Sequence, residues 1–93
     1  MANIQVQVRE EGDQYTADVT VDEGGSSTSH TVEFSKSYYQ KLTSGDHPPD
    51  VFVERSFEFL LEREPKESIM GTFNLTVINR YFGEYESTIT GML

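Results

Sequence analysis

The stretch LEREPKESIMGTFNLTVINRYFGEYE, residues 61–86, decides how the second half of this chain folds. Pro65 is expected to end the preceding helix, because a proline ring clashes with the helical backbone before it. Residues 66–72 are then predicted to form one or two further helical turns, and Asn74 is predicted to cap a short helix over residues 75–82. The many apolar residues of this stretch have to be packed against the rest of the protein. The stretch therefore marks where the C-terminal part of the fold closes.

A longer amphipathic helix is predicted over residues 50–64, immediately before and into that stretch. Its apolar residues recur with helical spacing on one face: Val53, Phe57, Leu60 and Leu61. The opposite face carries three acidic residues: Glu54, Glu58 and Glu62. At 1.5 Å per residue the helix spans roughly 22 Å. It is therefore long enough to cross a three-stranded sheet. A shorter helix is predicted over residues 36–43, with Ser35 as its N-cap.

In the first 34 residues, apolar and polar side chains alternate as they do in half-buried strands. The alternating residues form three runs: Ile4, Val6 and Val8; Tyr15, Ala17, Val19 and Val21; and His30, Val32 and Phe34. A turn over residues 10–13 makes the first two runs an antiparallel hairpin. Asp22–Ser29, with the sequence DEGGSSTS, is predicted to be a flexible connector. The third run is expected to lie beside the second.

The predicted fold class is α+β, with an N-terminal three-stranded antiparallel meander packed on one face by C-terminal helices. The 93 residues are expected to form one small domain. Residues 1–34 form its meander, residues 35–83 its helical part and residues 84–93 a tail. Tyr85 and Ile89 are expected to anchor this tail, and its end is expected to fray. The apolar face of the long helix should meet three sheet residues: Val6, Val19 and Val32.

Charge and composition exclude several classes of function. The net charge is −9, and the acidic excess is spread over residues 1–45 (−4) and 46–93 (−5). Neither half offers the basic face that nucleic acid or an anionic membrane requires, so neither is expected as a partner. Because the chain has no cysteine, it has no disulfide, zinc–thiolate site or catalytic thiol. Without the pattern of a signal peptide or a membrane span, the chain is expected to be cytoplasmic.

Two groups of polar residues suggest chemistry, and each has a simpler structural explanation. Asp46, His47 and Asp50 are reasonable metal ligands, but carboxylates there also favour the start of a helix. Glu62, Glu64 and Glu67 suggest acid–base catalysis, but nothing in the sequence pairs these carboxylates with a nucleophile. His30 is expected to pack in the sheet. We therefore expect no enzymatic activity, no cofactor and no metal site.

The leading hypothesis is a non-catalytic module that binds another protein, one with a basic surface. Its predicted partner-binding residues form an acidic stripe and an aromatic cluster: Glu54, Glu58 and Glu62, with Tyr81, Phe82 and Tyr85. Aromatic anchors with charge around them are typical of protein interfaces. A solvated helix face is the alternative explanation of the stripe. A small domain with a lean core also gains from self-association, so a homodimer is left open.

The alternative hypothesis is an antitoxin-like or transcription-associated regulator. Residues 66–82 resemble a helix-turn-helix whose second helix presents Thr76, Asn79 and Arg80, and Asn and Arg are side chains that contact base edges. Against this, Arg80 is the only basic residue after Lys66, whereas a DNA-binding protein needs several phosphate contacts. DNA binding is therefore expected only if a partner supplies positive charge.

A resemblance to a known group of proteins lies in residues 53–86. The matching residues are FLLEREPKESI (59–69), Phe73, Leu75, Val77-Ile78, Arg80-Tyr81-Phe82 and Glu84-Tyr85-Glu86. They resemble a small group of bacterial and archaeal proteins recorded only as conserved hypothetical proteins. The resemblance implies an N-terminal β portion before this helical end, and it implies no activity or cofactor. Gly83 departs from the pattern, in which proline is expected. A looser resemblance is to antitoxins of the HicB type, which also set a small sheet against helices.

Overall fold

The protein is described by a computed structural model of residues 2–93, in which a four-stranded sheet is packed against helices. The strands, adjacent in this order, are β1 (Asn3–Glu11), β2 (Gln14–Glu23), β3 (Ser26–Ser35) and β4 (Thr72–Asn74). The helices are α1 (Lys36–Thr43), α2 (Pro49–Leu61), α3 (Thr76–Tyr81) and α4 (Tyr85–Met92). The first three strands are antiparallel, and β4 runs parallel to β3. The predicted α+β class, with its N-terminal antiparallel strands followed by packed helices, is confirmed.

The flexible connector predicted at Asp22–Ser29 is wrong, because β2 and β3 extend into it and meet at a two-residue turn. Gly24 and Gly25 form this turn with φ angles of 66° and 82°. A type I′ hairpin turn requires positive φ at both central positions, which glycine adopts without strain. Beyond the turn, Glu23 pairs with Ser26 and the ladder continues without interruption. The polar stretch is therefore the tip of a long hairpin.

The helical turns predicted over residues 66–72 are also wrong. A single 3₁₀ turn, Lys66–Ser68, follows Pro65, and the chain then extends to join the sheet as β4. Phe73 pairs with Val32 in this parallel ladder, and its ring is buried. The sheet is consequently mixed and has one strand more than predicted.

This strand also removes the predicted helix-turn-helix. Residues 66–82 contain a 3₁₀ turn, a strand and only one α-helix, α3, which is shorter than predicted at both ends. Asn74 is not the N-cap that was predicted, because Leu75 holds that position and Asn74 ends β4. Its Oδ1 nevertheless accepts a hydrogen bond from the backbone N–H of Thr76, the first residue of α3, at 3.0 Å. Asn79 is used within the fold, because its Oδ1 accepts from the backbone N–H of Glu86 at 3.2 Å. Residues 66–82 therefore do not form the helix-turn-helix that their sequence resembles.

The two predicted helices before Pro65 are present. The shorter one, α1, has its predicted bounds, and the Oγ of its N-cap Ser35 accepts from the N–H of Tyr38 at 3.0 Å. The longer one, α2, begins one residue earlier than predicted, at Pro49, and ends at Leu61. It ends early because the residue before a proline disfavours the helical conformation, so the chain leaves the helix ahead of Pro65.

The core lies between the sheet and α2, as the alternating patterns predict. On the predicted helix face, Val53, Phe57 and Leu60 are buried. Leu61 is half-buried against the same core. Val19 and Val32 are buried opposite them, and Val6 is half-buried. Phe52 and Phe59, which lie outside the predicted stripe, are also fully buried. They are buried because α1 and α4 cover other sides of α2, which the pattern of a single helix does not reveal.

The predicted tail is a helix, α4, rather than a fraying segment. Tyr85 and Ile89 anchor it as expected, since both side chains are fully buried. The ring of Tyr85 packs edge-on against Phe59, with ring centroids 5.2 Å apart. Across residues 2–93, no helix is both long enough and apolar enough to cross a membrane.

Candidate functional site

The largest exposed apolar side chains of residues 2–93 lie together. Tyr81 is 71% exposed and Met70 is 43% exposed. Both line a groove of about 380 Å³ between the end of α2, residues 68–73 and α3, which we call the α2–α3 groove. Its remaining apolar lining comes from Leu60, Ile69, Phe73, Val77, Ile78 and Phe82. The groove is therefore an apolar surface that the rest of the fold leaves open.

The groove exists because the chain changes direction twice within a short distance. Pro65 ends α2, and the 3₁₀ turn then brings the chain back toward the sheet. Ile69 is buried in the core, whereas its neighbour Met70 faces outward as the backbone becomes extended. At the end of β4, the Oδ1 of Asn74 accepts from the N–H of Thr76, and the chain then turns into α3, which places Tyr81 on the opposite wall.

His30 holds one wall of the groove in place. Its Nδ1 lies 2.8 Å from the carbonyl oxygen of Met70, and its Nε2 lies 2.8 Å from the Oγ1 of Thr28. A carbonyl only accepts, so we assign the proton to Nδ1, and Nε2 then accepts from the Thr28 hydroxyl. The ring is buried and lies 5.4 Å from the ring of Phe57. His30 therefore has the packing role expected of it, and it also fixes the backbone beside the exposed Met70.

Replacing His30 with phenylalanine is expected to destabilise the protein by about 1–3 kcal/mol, because it removes the ring donor from the part-buried hydrogen bond to the Met70 carbonyl. The substitution retains an aromatic ring, so loss of packing volume contributes little. Urea unfolding followed by circular dichroism measures the change, with the exposed neighbour Ser29→Ala as the control. A His30→Phe protein as stable as the control would contradict this role of the hydrogen bond.

The charged residues around the groove are mostly paired. Lys66 donates to the carboxylate of Glu67 at 2.7 Å, and this hydrogen bond lowers the pKa of Glu67. Arg63 donates to Glu84 at 3.2 Å, and its guanidinium lies over the ring of Phe59. Glu64 lines the groove, and within residues 2–93 it makes no ion pair. The groove therefore presents apolar surface with one carboxylate that is free to meet a cation.

The structure divides the predicted partner-binding residues between different places. Tyr81 and Phe82 line the α2–α3 groove, and Phe82 is half-buried against Phe59. Tyr85 does not belong to this surface, because it is fully buried and its hydroxyl lies 2.7 Å from the Oγ of Ser56. Burial raises the pKa of Tyr85. The prediction of Tyr85 as a partner-binding residue is therefore wrong.

The acidic stripe does not border the α2–α3 groove. Glu58 and Glu62 line a second depression of about 440 Å³, next to Ile4 in β1. Glu58 also accepts from Arg55 at 3.0 Å, and Glu54 lines neither depression. The stripe and the aromatic residues therefore form no single surface.

Two groove residues, Met70 and Glu64, are not among the predicted partner-binding residues. The sequence pattern places Met70 in a helical turn, where its exposure has no special meaning. The signal that identifies it is the extended segment before Asn74, in which a buried Ile69 is followed by an outward-facing side chain. Recognising that signal requires knowing that β4 exists.

The other candidate chemistry does not converge. Asp46 and Asp50 are exposed, Asp50 lies in the first turn of α2, and the carbonyl of His47 accepts from the hydroxyl of Tyr39. In the part of the chain that the structure describes, no group of three or more histidines or carboxylates is placed to hold a metal ion. Glu64 and Glu67 are likewise separate, since only Glu64 lines the groove.

The resemblance of residues 53–86 to a group of conserved hypothetical proteins rests on the pattern of those residues alone. No protein-family model matches the chain, and no curated protein and no solved structure matches it.

Proposed function

We propose that this protein is a non-catalytic binding module that holds an apolar side chain of a partner protein in its α2–α3 groove. The partner segment carries an aromatic or aliphatic anchor flanked by lysine or arginine. The observation that carries this proposal is the clustering of the exposed Met70 and Tyr81 at one apolar groove. Aromatic residues and methionine are enriched where proteins meet, and apolar surface that is grouped together marks an interaction site.

Charge complementarity supports a basic partner. Glu64 is the charged residue that lines the groove, and the chain as a whole carries a net charge of −9. A negative field of this size attracts a cationic segment and speeds its association. Salt screens this attraction, because the Debye length falls from about 10 Å at 0.1 M to about 3 Å at 1 M. Binding is therefore expected to weaken as salt is added.

The exposure of Tyr81 favours a protein over a small apolar molecule. Most of its ring projects beyond the groove, so a ligand confined to the groove leaves it in water. A peptide that runs across the groove also contacts the projecting ring. Met70 suits this role because a methionine side chain adapts to differently shaped partners.

A cytoplasmic location belongs to the same proposal, and cell fractionation tests it.

The proposal is tested by selecting displayed random peptides of about twelve residues on the immobilised protein. Enriched peptides are expected to combine an apolar anchor with flanking basic residues. They are expected to bind a Met70→Ala, Tyr81→Ala double variant at least about tenfold more weakly, a loss of about 1.4 kcal/mol. Fluorescence anisotropy measures the affinities.

Matched variants separate the apolar and charged contributions. Glu64→Gln should weaken basic peptides and reduce the salt dependence of binding, whereas Glu23→Gln should change neither, since Glu23 does not line the groove. Peptides that bind the double variant as tightly as wild type would refute the proposal. So would a selection that enriches acidic peptides, or a groove that takes up only small apolar dyes.

A further inference from the structure

A second interaction surface lies at the β1 edge of the sheet. All nine residues of β1 pair with β2 in a continuous register, from Asn3 with Asp22 to Glu11 with Gln14. On its other side, β1 has no partner strand within residues 2–93. Proteins usually protect such an edge with proline, lysine, a bulge or an inward-pointing charge. The central residues Ile4–Val8 carry none of these, so the N–H and C=O groups of alternate β1 residues, which point away from β2, are available for pairing.

The sequence of β1 is complementary to itself. If two copies pair antiparallel about Val6, then Val6 lies opposite Val6 and Ile4 lies opposite Val8 on the helix-facing side. On the other side, Gln5 lies opposite Gln7, where two amides can exchange hydrogen bonds. Side chains opposite each other in an antiparallel pair lie on the same face, so apolar meets apolar and amide meets amide.

Registers shifted toward the C-terminal end of β1 are less favourable. Pairing about Gln7 places Ile4 opposite Glu10, and pairing about Val8 places Val6 opposite Glu10. In both, a carboxylate meets an apolar residue at the helix-facing side of the sheet. The register about Val6 avoids this, because it leaves Glu10 beyond the paired core. A shift in the other direction, to pairing about Gln5, keeps Ile4 opposite Val6 but joins only residues 3–7 of each strand instead of residues 3–9. The register about Val6 is therefore the longest that keeps apolar residues opposite each other.

The apolar side of β1 is also incompletely covered. Ile4, Val6 and Val8 are half-buried, whereas Val19 and Val21 of the neighbouring strand are buried. A further strand beside β1 would cover the open flank of these side chains. A domain this small gains stability from such burial.

From these observations we propose that two copies of this chain associate through β1, in an antiparallel pair centred on Val6 that joins their sheets. The interface is separate from the α2–α3 groove, which is not lined by any residue of β1. The two surfaces also differ in their response to salt. Both copies carry a net charge of −9, so salt that screens their repulsion strengthens the dimer. Binding of a basic partner in the groove responds in the opposite direction.

Sedimentation equilibrium over a range of concentrations, at about 0.1 M and 1 M salt, tests the association. We expect a monomer–dimer equilibrium that shifts toward dimer at high salt. A chain that remains monomeric under all of these conditions overturns the proposal, and the edge would then be open to an extended segment of another protein.

Charge variants at Gln5 and Gln7 test the register with the monomer fold preserved, because both side chains are exposed. The double variant Gln5→Glu, Gln7→Glu places like charges opposite each other twice and should weaken the dimer. The double variant Gln5→Lys, Gln7→Glu places opposite charges there and should bind at least about tenfold more tightly than the first. The third double variant, Gln5→Lys, Gln7→Lys, should also dissociate, because it places two lysines opposite each other. It should do so although its net charge is less negative than that of wild type. Equal dimerisation of the three variants would overturn the proposed register.

Single cysteines provide a second test, since the chain contains none of its own. In the proposed register Val6 faces its own copy at a Cα distance of about 4.5–5.5 Å, which a disulfide spans. Mild oxidation should therefore link Val6→Cys into a covalent dimer and leave Ile4→Cys, which faces Val8, largely unlinked. Efficient linking of Ile4→Cys alone would overturn the register.

Discussion

Replacing Phe57 with alanine is expected to destabilise the protein by about 3–5 kcal/mol, because the ring is fully buried and its removal leaves a cavity. The ring packs between the sheet and α2, with centroids 5.4 Å from His30 and 6.2 Å from Phe73. A small domain has a total stability of roughly 5–15 kcal/mol. This single change therefore removes a large part of the free energy of unfolding.

Thermal and urea unfolding measure the effect of Phe57→Ala. Thr90→Ala, an exposed change on α4, serves as the surface control and should stay within about 0.5 kcal/mol of wild type. Phe57→Leu retains most of the apolar volume and should fall between the two. A Phe57→Ala protein that melts within a degree or two of wild type would show that α2 does not pack on the sheet through this residue.

Replacing Tyr85 with alanine is expected to cost about 3–5 kcal/mol as well, since its ring is fully buried between α2 and α4. The result distinguishes a structural role from a partner-binding one. A partner-binding residue affects complexes and leaves the isolated protein stable. A loss of stability in the isolated protein supports the burial of α4, and an unchanged unfolding curve would contradict it.

Tyr85→Phe separates the ring from its hydroxyl group. This variant keeps the packing against Phe59 and is expected to cost about 1 kcal/mol, the net value of one hydrogen bond. The loss stays small because the Oγ of Ser56 still donates to the carbonyl of Phe52 at 2.8 Å. A Tyr85→Phe protein as unstable as Tyr85→Ala would indicate that the hydroxyl, rather than the ring, holds α4.

Sequence reasoning was most successful where the signals are local. The alternation in the first three strands, the Ser35 cap of α1 and the apolar face of α2 all depend on residues a few positions apart. The polar composition of Asp22–Ser29 favours a flexible connector, whereas the Gly24-Gly25 pair within it favours a turn. That pair is itself a strong signal for a hairpin turn. The hairpin is therefore predictable from the sequence when the glycine pair decides over the polar composition.

β4 could not be recognised in the same way. Its three residues, Thr72–Asn74, are too few to show a period, and their conformation is set by pairing with a distant strand. This long-range dependence also explains the incomplete prediction of the site. Tyr81 and Phe82 were identified by their chemistry, but Met70 becomes recognisable only once the strand turns it outward. Tyr85 was misassigned because its burial depends on where α4 folds back against α2.

From the pairing of β4 with β3 we also infer an order in which the chain assembles. β1, β2 and β3 are joined by two-residue turns, so their contacts close small loops. The hydrogen bond from His30 to Met70, by contrast, joins residues 40 positions apart. Closing so long a loop costs more chain entropy, and non-local contacts of this kind slow folding. We therefore expect the hairpins to form first, and the groove to be completed when the second half of the chain packs onto β3.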